Sequence, residues 1–153
     1  YFNLEYLGPL PIIVQGCVGI QTDNKNFKNF VLIKFWRSPE VPESSKGELT
    51  LEAGHQLLET IIRCWSPHLA TWTTTTWLRA VPKREAYTPS LGWKTYFSEP
   101  AVCELISDLG KPLDQGILLG TSSDIHDVTP EKIVALAQEL SNRGVESVLY
   151  RGT

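Results

Sequence analysis

The pattern that most constrains the fold lies at residues 50–65, where apolar side chains recur at the spacing of one helix face. Thr50 is a predicted N-cap, and Glu52 adds favourable charge to the first turn. Ser66-Pro67 ends the pattern, because the residue before a proline avoids the helical conformation. The predicted stripe consists of Leu51, Gly54, Leu58, Ile61, Ile62 and Trp65. This segment is therefore predicted to be an amphipathic helix.

Six other segments have the composition of β-strands, being rich in β-branched and aromatic residues. Their ranges are 12–22, 30–36, 71–78, 92–97, 116–121 and 145–150. The segment 30–36 is apolar on both faces and is expected inside a sheet. Trp72 and Trp77 are five residues apart, so a strand over 71–78 would place them on opposite faces.

A second helix is predicted to begin at Thr129, with Pro130 at its first position and Gly144 beyond its end. Its predicted buried stripe is Ile133, Leu136, Ala137 and Leu140. Residues 99–110 fit a helix and an irregular strand equally well. Because helices and strands do not alternate strictly, the sequence predicts a single α+β domain over residues 1–153. Its sheet is expected to be mostly antiparallel, with about five or six strands and two or three helices.

The charge of the chain is unevenly distributed. There are 14 Lys+Arg and 17 Asp+Glu in 153 residues, which disfavours a general nucleic-acid binder. Residues 1–98 carry 10 basic and 8 acidic side chains (+2), and residues 99–153 carry 4 basic and 9 acidic ones (−5). No apolar run approaches the ~20 residues that span a bilayer. The acidic C-terminal part suits either a solvated face or a patch that meets a basic partner.

The three cysteines, Cys17, Cys64 and Cys103, are far apart and show no zinc-site spacing. An odd number of cysteines suits a reduced cytoplasmic protein better than a secreted one. Each is expected to behave as a small buried apolar residue.

One cluster, Ser-Ser-Asp-Ile-His-Asp at residues 122–127, has the composition of a catalytic site. Asp124, His126 and Asp127 could serve a small metal-dependent hydrolase, since metal sites draw ligands from these residue types. The same residues are also ordinary in loops, and their spacing matches no metal motif. The sequence contains neither a Gly-x-Ser-x-Gly elbow nor a phosphate-binding glycine loop.

The five tryptophans are the other notable group, because tryptophan is enriched both in cores and at interface hot spots. Trp36 and Trp65 are expected in the core. One of Trp72, Trp77 and Trp93 is a candidate contact with a partner.

Several of these segments, in this order, resemble a known family. They are the helix at residues 51–65, the Pro67-to-Trp72 stretch, Gly-Trp-Lys-Thr-Tyr-Phe-Ser at 92–98, the strand ending in Gly120-Thr121, and the helix opened by Thr-Pro-Glu at 129–131. The order resembles the immunity protein 52 family of bacterial polymorphic toxin and type VI secretion systems. The resemblance covers residues 28–150, with 38–47 as an insertion, and leaves 1–27 unassigned.

The resemblance implies a cytoplasmic α+β protein that neutralises a cognate toxin and has neither enzymatic activity nor a cofactor. The implied partner is a nuclease toxin of restriction-endonuclease-like fold with a basic surface, rather than nucleic acid itself or a membrane. A homodimer is left open. The candidate toxin contacts are Trp72, Trp77, Trp93, Glu99, Glu104, Asp108, Asp124, His126 and Asp127. The alternatives are the metal-dependent hydrolase and a structural subunit of a secretion or phage assembly.

Overall fold

A computed structural model describes residues 2–6, 12–17, 30–35, 51–81 and 89–151. The chain divides into two compact units, Tyr1–Thr50 and Leu51–Thr153. The single domain expected over residues 1–153 stays a prediction.

The first unit contains three strands in one antiparallel sheet, namely β1 (Phe2–Tyr6), β2 (Ile12–Cys17) and β3 (Phe30–Phe35). Tyr6 pairs with Ile12, and Ile12 also pairs with Phe35. The middle strand of this sheet is therefore β2, and not the segment 30–36 that was expected inside a sheet. The strand predicted at 12–22 is confirmed for its first six residues, while the remainder lies outside the described residues.

The second unit carries most of the described structure. Its elements are α1 (Leu51–Trp65), β4 (Leu69–Trp72), α2 (Thr75–Ala80), β5 (Lys94–Phe97), α3 (Pro100–Ile106), β6 (Gly110–Leu113), β7 (Gly116–Gly120), a 3₁₀ turn (Ile125–Asp127), α4 (Pro130–Asn142) and α5 (Val145–Arg151). The four strands form an antiparallel sheet in the order β4-β5-β7-β6. The α+β class is thus confirmed.

The sheet of the second unit separates two apolar clusters. Tyr96 on β5 pairs with Leu118 on β7, and both lie in a cluster covered by Leu58 and Ile62 of α1. The next residue along β5, Phe97, points to the opposite face because side chains alternate along a strand. There it joins a larger cluster with side chains of α3, α4 and α5. The members of that larger cluster are Leu91, Trp93, Phe97, Val102, Ile106, Ile117, Leu119, Val128, Ile133, Leu140 and Val145.

Both predicted long helices are confirmed. The hydroxyl of Thr129 accepts a hydrogen bond from the backbone N–H of Lys132, Pro130 occupies the first turn, and Ile133 and Leu140 are buried. Gly144 has φ +79°, a left-handed conformation that glycine adopts without strain. The predicted N-cap of α1, Thr50, lies outside the described residues.

The predicted number of strands is wrong, and so are two of the strand assignments. The sheet of the second unit has four strands rather than five or six. Of the segment 71–78, Thr71 and Trp72 belong to strand β4, whereas residues 75–78 belong to α2, which the Thr74 side chain caps by accepting a hydrogen bond from the Trp77 N–H. Trp77 is therefore helical. The segment 145–150 is helix α5, started by a Val148 N–H bond to the Gly144 carbonyl.

The remaining differences concern segments that gave weak patterns. The ambiguous residues 99–110 contain helix α3, and the strands β1 and β6 were not predicted. Five α-helices are found among the described residues, against an expectation of two or three. None of the described helices is long and apolar enough to cross a bilayer.

The two-sided core generates a stability prediction that uses a matched pair of helical leucines. Leu140 on α4 is 1% exposed, and Leu78 on α2 is 41% exposed. Leu140→Ala should lower the free energy of unfolding by about 2–5 kcal/mol, because it removes buried methyl groups and leaves a cavity. Leu78→Ala should change it by less than about 1 kcal/mol. Urea unfolding measures both values, and equal losses would contradict the described core.

Candidate functional site

The acidic segment comprises residues 124–131, which run from the 3₁₀ turn into α4. The Asp124 carboxylate accepts a hydrogen bond of 2.8 Å from the backbone N–H of His126, and Val128 N–H donates to the Ile125 carbonyl at 3.1 Å. Val128 is buried in the large cluster, which fixes the segment to the core. The side chains of Asp124, His126 and Asp127 are exposed. The segment therefore presents its carboxylates to solvent from an ordered backbone.

Glu131 adds a third carboxylate to the segment, one that was not among the contacts predicted from the sequence. Its pKa is lowered by a hydrogen bond from the Thr129 side chain, so the carboxyl is ionised at neutral pH. Within the part of the chain that the structure describes, no ion pair engages Asp124, Asp127 or Glu131. Their negative charge is thus not neutralised by a described neighbour.

The hydrolase hypothesis requires Asp124, His126 and Asp127 to converge on one metal ion. A search of the described residues, which include all three, finds no group of three or more His, Cys, Asp or Glu placed to hold a metal ion. The Asp124 carboxylate instead caps the 3₁₀ turn. The geometry gives this hypothesis no support.

Trp93 lies in the core rather than on an exposed face. It is 6% exposed, and its indole Nε1–H donates to the Ser122 carbonyl at 3.0 Å. This bond joins the start of β5 to the loop that leads into Asp124. Trp93 therefore supports the acidic segment and offers almost no surface to a partner.

The other tryptophans also differ from expectation. Trp72 is half-buried at the end of β4 and packs on Gly54, where a Cβ atom would lie 2.8 Å from its ring. Trp77 is half-buried on α2 and packs against the large cluster. Trp65, which was expected in the core, is 53% exposed at the end of α1. Trp36 lies outside the described residues.

The acidic residues between positions 99 and 108 differ from those of the acidic segment in their exposure and pairing. Glu99 is half-buried before α3, and Glu104 is exposed on α3. Asp108 forms a bidentate pair with Arg143, at 2.5 Å from Oδ1 to Nη1 and 3.0 Å from Oδ2 to Nη2. Arg143 also donates to Glu139 Oε1 at 2.7 Å and to the Leu105 carbonyl at 2.8 Å. Asp108 is therefore already paired and serves to join the ends of α3 and α4.

The cysteines are only partly as expected. Cys64 is exposed, so the expectation that it is buried is wrong. Cys103 is half-buried, its Sγ lies 3.3 Å from the Phe97 carbonyl oxygen, and burial raises the pKa of its thiol. The side chain of Cys17 lies outside the described residues.

A groove of about 440 Å³ between α2 and α4 adjoins the acidic segment. It is lined by Ala80, Pro130, Glu131, Val134, Ala135 and Gln138. Val134 is 43% exposed because it lies off the stripe that α4 buries, and Leu78 on α2 is similarly exposed. An apolar residue off the predicted stripe was the sequence signal that could have found this surface.

The Asp108–Arg143 pair generates a pH prediction. Hydrogen bonding to Arg143 lowers the pKa of Asp108 from its ordinary value of 3.8. A lowered folded-state pKa means that the pair stabilises the fold above the ordinary value and that this stability is lost as pH falls through the lowered one.

Asp108→Asn should therefore unfold at a lower urea concentration than wild type at pH 7, and the difference should shrink as the pH falls below 3.8. Equal midpoints at pH 7 would show that the pair contributes nothing, and a difference that stays constant at acidic pH would show that the charge of Asp108 is not its cause.

Comparison of the chain with protein-family models, curated proteins and solved structures finds no match.

Proposed function

We propose that the chain is an immunity protein that binds and neutralises a cognate bacterial toxin in the cytoplasm. The observation that carries this proposal is the acidic segment. Its carboxylates are exposed and form no ion pair with a described residue, and Val128 anchors its backbone on the core. A surface of this kind suits recognition of a basic partner. The family resemblance of the sequence supports the same function.

The chemistry of the partner follows from charge complementarity. A nuclease must grip phosphates and so presents a basic surface. Carboxylates placed where those phosphates bind would compete for the same basic groups, and the −5 balance of residues 99–153 would speed the encounter. The proposed partner is therefore a nuclease toxin, of restriction-endonuclease-like fold and delivered by a type VI or related system. Blocking its active site is the mode that this charge pattern favours.

The structure changes which residues we propose as contacts. Asp124, Asp127 and Glu131 form the charged part, with His126 beside them, and the exposed Val134 supplies an apolar contact. Trp93 is dropped because it is buried, and Asp108 is dropped because Arg143 holds it. Trp72, Trp77, Glu99 and Glu104 remain candidates, each at least partly exposed.

The proposal predicts a nuclease toxin gene beside the gene for this chain, and the test uses the toxin that it encodes. Co-expression of the wild-type chain should restore growth to cells that make the toxin. Asp124→Asn, Asp127→Asn and Glu131→Gln together should slow association about tenfold to a thousandfold at low salt, because steering charges act mainly on the association rate. Stopped-flow or biosensor kinetics at two salt concentrations measure this effect.

Asp114→Asn is the matched control. Asp114 is also exposed and acidic, but it sits in the β6–β7 turn at φ 51°, which asparagine tolerates. The change of Asp124 to Asn likewise keeps an oxygen that can cap the turn. Failure of the wild-type chain to bind or protect would refute the immunity function. Binding that all these variants retain equally would refute only the acidic contact.

A further inference from the structure

Lys94 and Lys111 lie on one face of the four-stranded sheet. Lys94 on β5 pairs with Gly120 on β7, and Lys111 on β6 pairs with Leu118 on β7. Since Leu118 and Gly120 are two residues apart on the same strand, both lysines project from the same side. This is the side that α1 covers at Tyr96 and Leu118.

The ammonium group of Lys94 is held close to the sheet. Its Nζ atom lies 4.9 Å from the centroid of the Trp93 ring, and a Cβ atom at Gly120 would lie only 2.9 Å from it. The side chain therefore crosses from β5 onto the backbone of β7, towards the strand that carries Lys111. A side chain at position 120 would oblige the flexible end of Lys94 to shift.

The surroundings of Lys94 disfavour its protonated form. Burial and the nearby charge of Lys111 both lower the pKa of Lys94. The Trp93 ring offers some compensation through a cation–π contact. In the described ranges 51–81 and 89–151, no carboxylate pairs with either lysine. Two like charges on one face, engaged by no ion pair among the described residues, are an arrangement that a bound anion stabilises.

We propose that Lys94 and Lys111, together with the exposed Gly120 opposite Lys94 on the intervening strand β7, bind a phosphate-type oxyanion. A tetrahedral oxyanion can accept from both ammonium groups at once, and lysine binds phosphate as a point charge. This site uses no residue of the acidic segment, and its test does not require the toxin. Its ligand is either free phosphate or the phosphate group of a small organic monoester.

The test is a titration of the full ¹⁵N-labelled chain with inorganic phosphate at constant ionic strength. Saturable shifts should centre on the amides of Lys94, Lys111 and Gly120, with a dissociation constant on the order of 1 mM. Lys94→Gln and Lys111→Gln should each weaken binding about fivefold to tenfold, since each removes one charge-assisted hydrogen bond. Lys132→Gln, at an exposed lysine on α4, should leave binding unchanged.

Titrations with two further anions identify the ligand. Glycerol phosphate that binds more tightly than inorganic phosphate would assign an organic monoester, and equal or weaker binding would assign free phosphate. Acetate should bind more weakly than either.

The proposal is overturned if phosphate gives no saturable shift, if acetate binds as tightly, or if Lys132→Gln weakens binding as much as the other two changes. Lys111 is exposed, so its variant keeps the test valid even where Lys94→Gln disturbs the fold.

Discussion

Burial of strand β5 on both faces is the constraint on which the second unit depends. Tyr96 and Phe97 are adjacent, point to opposite faces and are both fully buried. Each face therefore needs its own apolar cover, which α1 supplies on one side and α3, α4 and α5 supply on the other. A strand of four residues with this demand must lie inside a sheet, and β4 and β7 flank it.

The start of β5 also determines where the acidic segment lies. The Trp93 carbonyl accepts from Thr121 N–H at 3.0 Å, the Thr121 hydroxyl donates to the Gly92 carbonyl at 2.6 Å, and the Trp93 indole donates to Ser122. These three bonds fix the chain as it leaves β7, only two residues before Asp124. A surface ordered in this way loses little conformational entropy on binding, which favours affinity.

Local signals in the sequence predicted part of this structure well. The helices α1 and α4 followed from apolar spacing, and α4 also from Thr129, Pro130 and Gly144, because a cap and a stripe are complete within one segment. Residues 75–78 and 145–150 are helical although they were predicted as strands, since their threonines, valines and aromatic residues favour strands in isolation. Their helical state depends on the Thr74 cap and on packing against the core, which composition does not record.

The site was only partly predictable for a related reason. The sequence does not distinguish Asp108 from Asp124, since both are aspartates in the acidic C-terminal part. The fold places Arg143, 35 residues further along the chain, against Asp108. Trp65 was expected in the core but is exposed, and Trp93 was a candidate partner contact but is buried. The burial of each depends on how the sheet and its helices pack, which local sequence does not record.

The net charge of −3 hides two groups of charged residues of opposite sign. The acidic segment leads into α4, which packs on the Phe97 face of the sheet, whereas Lys94 and Lys111 project from the Tyr96 face. The two groups approach each other at the end of β7, because a Cβ atom at Gly120 would lie 2.9 Å from Lys94 Nζ and 3.6 Å from the Ser122 carbonyl oxygen, and Asp124 follows two residues later. Charges exposed to solvent are screened over about 8 Å at physiological ionic strength, so each group acts mainly on a ligand that contacts it directly. The overall charge of the chain therefore predicts neither ligand.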